Sequence, residues 1–178
     1  MLYIARACTV ALIGFVLSGC VNDPGRRTAG VVLDDEALEW VIKGEIKDSD
    51  PGFNGSHLVV VSYNGIVLLA GQVATEALRE KAARVTQSLQ RVRKVHNELT
   101  VSGPISLMAR SNDSWLTTKV KSRLIVSDEA NGAKTKVVTE NGIVYLMGLL
   151  TREQADNAVK VAANVYGVQK IVKVFEYL

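Results

Sequence analysis

The chain has 178 residues, with 21 Lys+Arg against 18 Asp+Glu for a net charge of +3, and 48% of its residues are hydrophobic. So small a positive surplus excludes the field of a dedicated nucleic-acid binder, and the apolar content excludes wholesale disorder. Two His and two Cys are too few for most metal or redox sites, so the chain reads as folded, mildly basic and non-enzymatic.

At the amino terminus Arg6 precedes the uncharged run Ala7 to Leu17. As a helix those residues measure about 16 Å, roughly half a bilayer's hydrocarbon core, so they cannot span it. They do fit a secretory apolar region. Leu17-Ser18-Gly19-Cys20 resembles the bacterial lipobox. That resemblance implies a signal peptide over 1–19, cleavage after Gly19, and acyl chains on Cys20. The alternative is an ordinary signal peptide with an incidental Cys. Several chains hold durably, since each buried CH₂ contributes about 0.8 kcal/mol. Removal of Cys8 with the leader leaves one thiol and no internal disulfide. Val21 rather than Asp follows the Cys, which by resemblance to lipoprotein sorting implies the outer membrane, facing the periplasm. The lipidated Cys and a polar tether occupy 20–33.

The remainder is an internal repeat. Tyr63-Asn64-Gly65-Ile66-Val67-Leu68-Leu69-Ala70-Gly71 matches Glu140-Asn141-Gly142-Ile143-Val144-Tyr145-Leu146-Met147-Gly148 at an offset of 77. One extra residue in the first copy then brings the offset to 76, pairing Thr75 with Thr151, Ala82 with Ala158 and Val92 with Val168. The periodicity predicts two domains, 34–102 and 113–178, with a connector over 103–112.

Each copy opens with an amphipathic helix, over about 35–48 and 113–126. Asp34-Asp35-Glu36 reads as charge at a helix N-terminus rather than a metal cluster. A hairpin follows (58–63 with 66–71, and 135–140 with 143–148), its Asn-Gly tip marking a type I′ turn. Thr75 and Thr151 cap a second helix, with a capping box in Thr151-Arg152-Glu153-Gln154. Leu78, Ala82, Val85 and Leu89 form its apolar stripe. A final strand (94–101 and 169–177) closes each copy. The class is α+β, with two helices on one face of a three-stranded sheet. Domains this small are marginal alone, so the copies should pack together.

Helix, Val-Val-Thr-Glu-Asn-Gly-Ile-Val-Tyr-Leu-Met-Gly, capped helix and valine-rich strand together resemble the BON domain. The double copy behind a lipobox, with Ser111-Asn112-Asp113-Ser114-Trp115-Leu116-Thr117-Thr118-Lys119-Val120, resembles the dual-BON outer-membrane lipoproteins. The resemblance covers essentially the whole chain. It implies a tandem of two BON domains, each with a three-stranded mixed sheet, and no enzymatic activity. It also implies binding of anionic phospholipid (phosphatidylglycerol, cardiolipin) through the first helix of the second domain, in support of envelope integrity and cell division.

The residues of that helix agree. Leu116, Val120 and Leu124 form a core stripe, and Trp115 points about 140° away from Val120. Thr118, Lys119 and Ser122 surround the indole and Arg123 flanks it, the composition of a bilayer interface. The phospholipid-binding candidates are therefore Trp115, Leu116, Thr118, Lys119, Val120, Ser122 and Arg123, with Leu116 and Val120 setting the helix on its sheet. The alternative for Trp115 is a contact with the other domain.

Charge separates the copies. Asp34 to Asp50 holds seven acids and two lysines, whereas Arg110 to Ile125 holds Arg110, Lys119, Lys121 and Arg123 against one acid. An anionic leaflet attracts only the second. Trp40, with Glu36, Glu39 and Lys43 around it, fits a protein contact, so a rival reading is an adaptor recruiting an envelope protein through the first domain. The basic run from Arg79 to Lys94 is a solvated face or an auxiliary patch. His57 and His96 lack the partners of a zinc site. No cofactor, metal or nucleic acid is expected.

Overall fold

The computed structural model describes residues 26–103 and 106–178; the leader, the Cys20 attachment point and the start of the tether lie outside the described residues. The first domain runs α1 (Ala29–Ser49), β1 (His57–Tyr63), β2 (Ile66–Val73), α2 (Glu76–Gln87) and β3 (Lys94–Val101). The second repeats the order as α3 (Leu107–Val126), β4 (Lys136–Glu140), β5 (Ile143–Leu150), α4 (Arg152–Ala163) and β6 (Lys170–Tyr177).

Both hairpins turn as their Asn-Gly tips require. Asn64 and Gly65 have φ of 55° and 73°, and Asn141 and Gly142 have 49° and 74°, the left-handed pair of a type I′ turn. The third strand of each sheet lies parallel to the second, so both sheets are mixed, in orders β1-β2-β3 and β4-β5-β6. Thr75 caps α2, and Thr151 with Gln154 closes a reciprocal capping box on α4.

The first helices begin earlier than periodicity predicts. Thr28 Oγ1 accepts from Val31 N and starts α1 at Ala29, so the tether expected over 20–33 ends inside a helix. Ser106 Oγ likewise accepts from Ala109 N, and α3 takes up most of the connector expected over 103–112. The reason is burial: Leu33, Leu107 and Met108 are all exposed, so these turns carry no apolar face for periodicity to register.

Each domain buries one core beneath its helices. Leu38, Ile42 and Ile46 of α1 and Leu78 and Ala82 of α2 cover Leu58, Val60, Val67 and Leu69. Leu116, Val120 and Leu124 of α3, with Ala158 and Ala162 of α4, cover Val137, Val144 and Leu146. Strand residues alternate between faces, and the opposite faces are apolar too. Val61, Tyr63, Leu68 and Ala70 of the first sheet pack on Tyr145, Met147 and Val174 of the second in a third core. The sheets thus meet face to face with the helices outermost, and every residue of β2 is buried.

Polar groups rim this junction. Glu140 accepts from Gln72 Nε2 at 2.9 Å and lies 3.2 Å from His57 Nε2. Tyr63 Oη donates to Lys134 O, Lys136 Nζ to Glu39, and Arg93 pairs with Glu176.

Asp35 corrects the reading of the first acidic cluster. It sits two turns inside α1, buried, and its carboxylate accepts from Ser62 Oγ, Asn64 N, Gly65 N and Arg27 Nη1. Asp113 accepts from Asn141 N and Gly142 N in the second copy. Each aspartate therefore fastens its helix to its hairpin tip.

Candidate membrane-binding surface

Three sets of contacts fix the rotation of α3. Leu116, Val120 and Leu124 are fully buried against the sheet. Asp113 grips the hairpin tip, and Thr117 Oγ1 donates to Thr139 Oγ1 at 2.8 Å. Lys121 Nζ donates to Gly132 O and Thr135 O at 2.7 and 2.5 Å. Trp115 is consequently turned outward with 56% of its surface exposed. The interdomain contact that it offered as an alternative is made by the two sheets instead.

Trp115, Thr118, Lys119, Ser122, Arg123 and Val126 line an open groove of about 450 Å³ along the helix. Five of the seven predicted residues come together there. Leu116 and Val120 do not: both lie in the core, where they set the helix and cannot touch a ligand.

Inside the groove Lys119 Nζ stands 4.0 Å from the Trp115 ring centre and 5.7 Å from that of Tyr166, and donates to Tyr166 O at 3.3 Å. An ammonium between two aromatic faces is held electrostatically, at modest energy where solvent reaches it. Tyr166 is 88% exposed, on the turn between α4 and β6. Sequence reasoning missed it, although an aromatic just before Gly167 in a turn, where the first copy has Gln90, was a visible signal.

Val126 and Met108 were missed as well. Both are more than four-fifths exposed. Spacings of 7 and 11 from Met108 to Trp115 to Val126 return close to the same helical angle, giving an apolar line about 27 Å long.

The charge of this surface is smaller than the residue count implies. Lys121 is turned away from it and half-buried, and burial pushes its ammonium below the usual lysine range. Arg110 is half-buried and does not line the groove, so Arg123, which is exposed, and Lys119, which is half-buried but lines the groove, carry the charge of this surface. The basic run from Arg79 to Lys94 is also reduced. Arg79 pairs with Glu76, Lys81 with Asp50, Arg84 with Glu80, Arg91 with Asp34 and Arg93 with Glu176. Five of its six cations are thereby answered, which weakens an auxiliary anionic patch.

On the first domain Trp40 is 79% exposed. With Glu39, Lys43 and Val60 it lines a smaller groove of about 190 Å³. His96 is held below the ordinary histidine range by burial and then by Lys94, with Glu98 opposing. Among the described residues no group of three or more His, Cys, Asp or Glu is placed to hold a metal ion, and no helix is long and apolar enough to cross a membrane.

The model of the BON domain family matches residues 34–103 and 112–178. The outer membrane lipoprotein DolP of Haemophilus influenzae is 41% identical over 176 residues, 97% of this chain and 90% of that protein. A 21 kDa hemolysin of Actinobacillus pleuropneumoniae is 39% identical over 85% of this chain and 78% of its own length. Among solved structures, the C-terminal domain of CdsD from the Chlamydia trachomatis type III secretion system aligns at 12% identity over 76% of this chain and 96% of that one. Its TM-score of 0.33 is too low to inform function. Matched by that model in both halves, and along nearly its full length by DolP, the chain belongs to the BON-domain family as a tandem-domain lipoprotein of the DolP type.

Proposed function

We propose that this outer-membrane lipoprotein binds anionic phospholipid through the outer face of α3, and that the attachment serves envelope integrity and cell division. Acyl chains on Cys20 would anchor it facing the periplasm, and no catalytic step is assigned. The observation behind the reading is the cluster of Trp115, Lys119 and Tyr166, two exposed aromatics around a cation on a surface with Arg123 and Val126. Indole and phenol rings settle among headgroups, ammonium and guanidinium meet phosphate, and the valine enters the acyl boundary. Tethering raises the local concentration, so a weak headgroup site is occupied.

Vesicle flotation tests this with the chain lacking residues 1–20. Binding to phosphatidylglycerol but not phosphatidylcholine vesicles is expected, with most of it lost in Trp115→Ala. Equal binding by that variant would remove the site assignment.

A second reading is supported by exposed Trp40, whose groove includes Glu39 and Lys43 and suits a protein better than an anionic leaflet. It makes the chain an adaptor for an envelope protein. Capture of one specific protein, abolished by Trp40→Ala, together with no lipid selectivity at α3, would favour it.

A further inference from the structure

A second groove, of about 340 Å³, opens where the two domains meet. Arg26 and Arg27, just ahead of α1, line it with Val32 and Tyr63 from the first domain; Lys121 of α3 and Ala133 to Lys136 line it from the second. Its wall thus carries five cationic side chains and no carboxylate. Asp35 answers Arg27 and Glu39 answers Lys136 from outside the lining, so the cations exceed their carboxylates by three, and like charges in excess repel one another.

Most of these cations are already held in place. The Arg27 guanidinium lies 3.8 Å over the Tyr63 ring and donates to Asp35 at 2.7 Å. Lys136 Nζ is 3.0 Å from Glu39, and Lys121 is fastened to two backbone carbonyls. Tyr63 Oη donates to Lys134 O and ties the two walls together. Neither Asp35 nor Glu39 lines the groove, and Arg26 is exposed. An anion entering here would find donors whose ordering costs were met when the domains packed.

We propose that this junction groove binds a small phosphate-type polyanion carrying at least two negative charges. The chemistry favours phosphate over a lone carboxylate. Arginine forks and lysine point charges converging from three segments match oxygens presented in several directions. The volume holds a pyrophosphate or a phosphorylated sugar. The site is separate from the outer face of α3, since Lys121 lies about 120° around the helix from Trp115.

The test is titration of the chain lacking residues 1–20 with inorganic pyrophosphate at low ionic strength, followed by amide NMR, with acetate as control. Shifts confined to Arg27, Lys121 and Ala133 to Lys136 are expected for pyrophosphate alone. Arg26→Glu with Lys134→Glu should weaken binding by about tenfold or more, with thermal unfolding checked in parallel. Arg26→Ala alone serves if the double variant melts early. Trp115→Ala should bind pyrophosphate normally, which separates this site from the membrane surface. Flotation on phosphatidylglycerol vesicles then identifies the source: a double variant that no longer floats assigns the phosphate to a lipid headgroup, and one that floats normally assigns it to a soluble ligand. No localised shifts in the parent chain, equal shifts with acetate, or binding untouched by the folded variants would overturn the proposal.

Discussion

Lys119 holds its ammonium 4.0 Å over the ring of Trp115, one helical turn earlier on α3. The lysine therefore sits with the indole at the surface where headgroups would lie. Near an anionic leaflet one cation contributes about 1 kcal/mol, or about fivefold in affinity. Lys119→Ala should weaken vesicle binding by about that factor. Tyr166→Ala should also weaken it, although Tyr166 belongs to a different element. Leu116→Ala, by contrast, should lower stability by about 2–5 kcal/mol through a cavity. Flotation alongside urea unfolding separates the two classes, and a Tyr166→Ala variant with undiminished binding would confine the surface to the helix.

Asp35 makes folding sensitive to acid. Burial pushes its carboxyl upward, but donors from Ser62, Asn64, Gly65 and Arg27 together outweigh burial and hold it below 3.8. A depressed carboxyl contributes stability that is complete above its unfolded value and disappears as pH falls through the folded one. Stability should therefore drop below about pH 3.8, and Asp35→Asn should flatten that part of the curve. Asp35→Ala should cost about 2–4 kcal/mol at pH 7, because the hairpin-tip amides lose a charged acceptor. Urea unfolding from pH 7 to 2 checks both, and identical slopes for parent and Asn variant would contradict the assignment.

Glu140 joins the domains, accepting from Gln72 while facing His57. Its side chain is 8% exposed, so truncation removes a buried hydrogen bond that links the two domains. Glu140→Ala should destabilise by about 1–3 kcal/mol and loosen the junction. The expected signature is a single unfolding transition that divides into two. One transition at an unchanged midpoint would show that the apolar core alone holds the domains together.

Gly71 cannot carry a side chain. Its φ is +108°, and a Cβ there would stand 2.0 Å from His57 O across the β1–β2 ladder. Gly71→Ala should cost about 3 kcal/mol or more in strain and displaced backbone. Thermal unfolding reads this directly, and a melting point within a degree of the parent would show that the ladder can shift.

The duplicated fold was legible because local chemistry dictates it. Asn-Gly can turn a hairpin with left-handed φ at both positions, Thr at a helix start offers an oxygen to a free amide, and Leu116, Val120 and Leu124 share one face by arithmetic. The same arithmetic turned Trp115 outward. It could not register the first turns of α1 and α3, which bury no apolar stripe, nor the post of Asp35, whose hairpin partners Ser62, Asn64 and Gly65 lie 27 to 30 residues along the chain.

What sequence alone determined about this protein is therefore the content of each repeat and the outward face of its helices. Both follow from interactions within a few residues or from a fixed helical period. Tertiary structure decided which of those groups meet. It turned Lys121 inward, answered Lys81, Arg91 and Arg93 of the basic run with Asp50, Asp34 and Glu176, and set Tyr166 beside Lys119. It also closed the two sheets on each other and brought cations from both domains into one groove. Such pairings depend on distances between segments remote along the chain, which charge counts and periodicities do not contain.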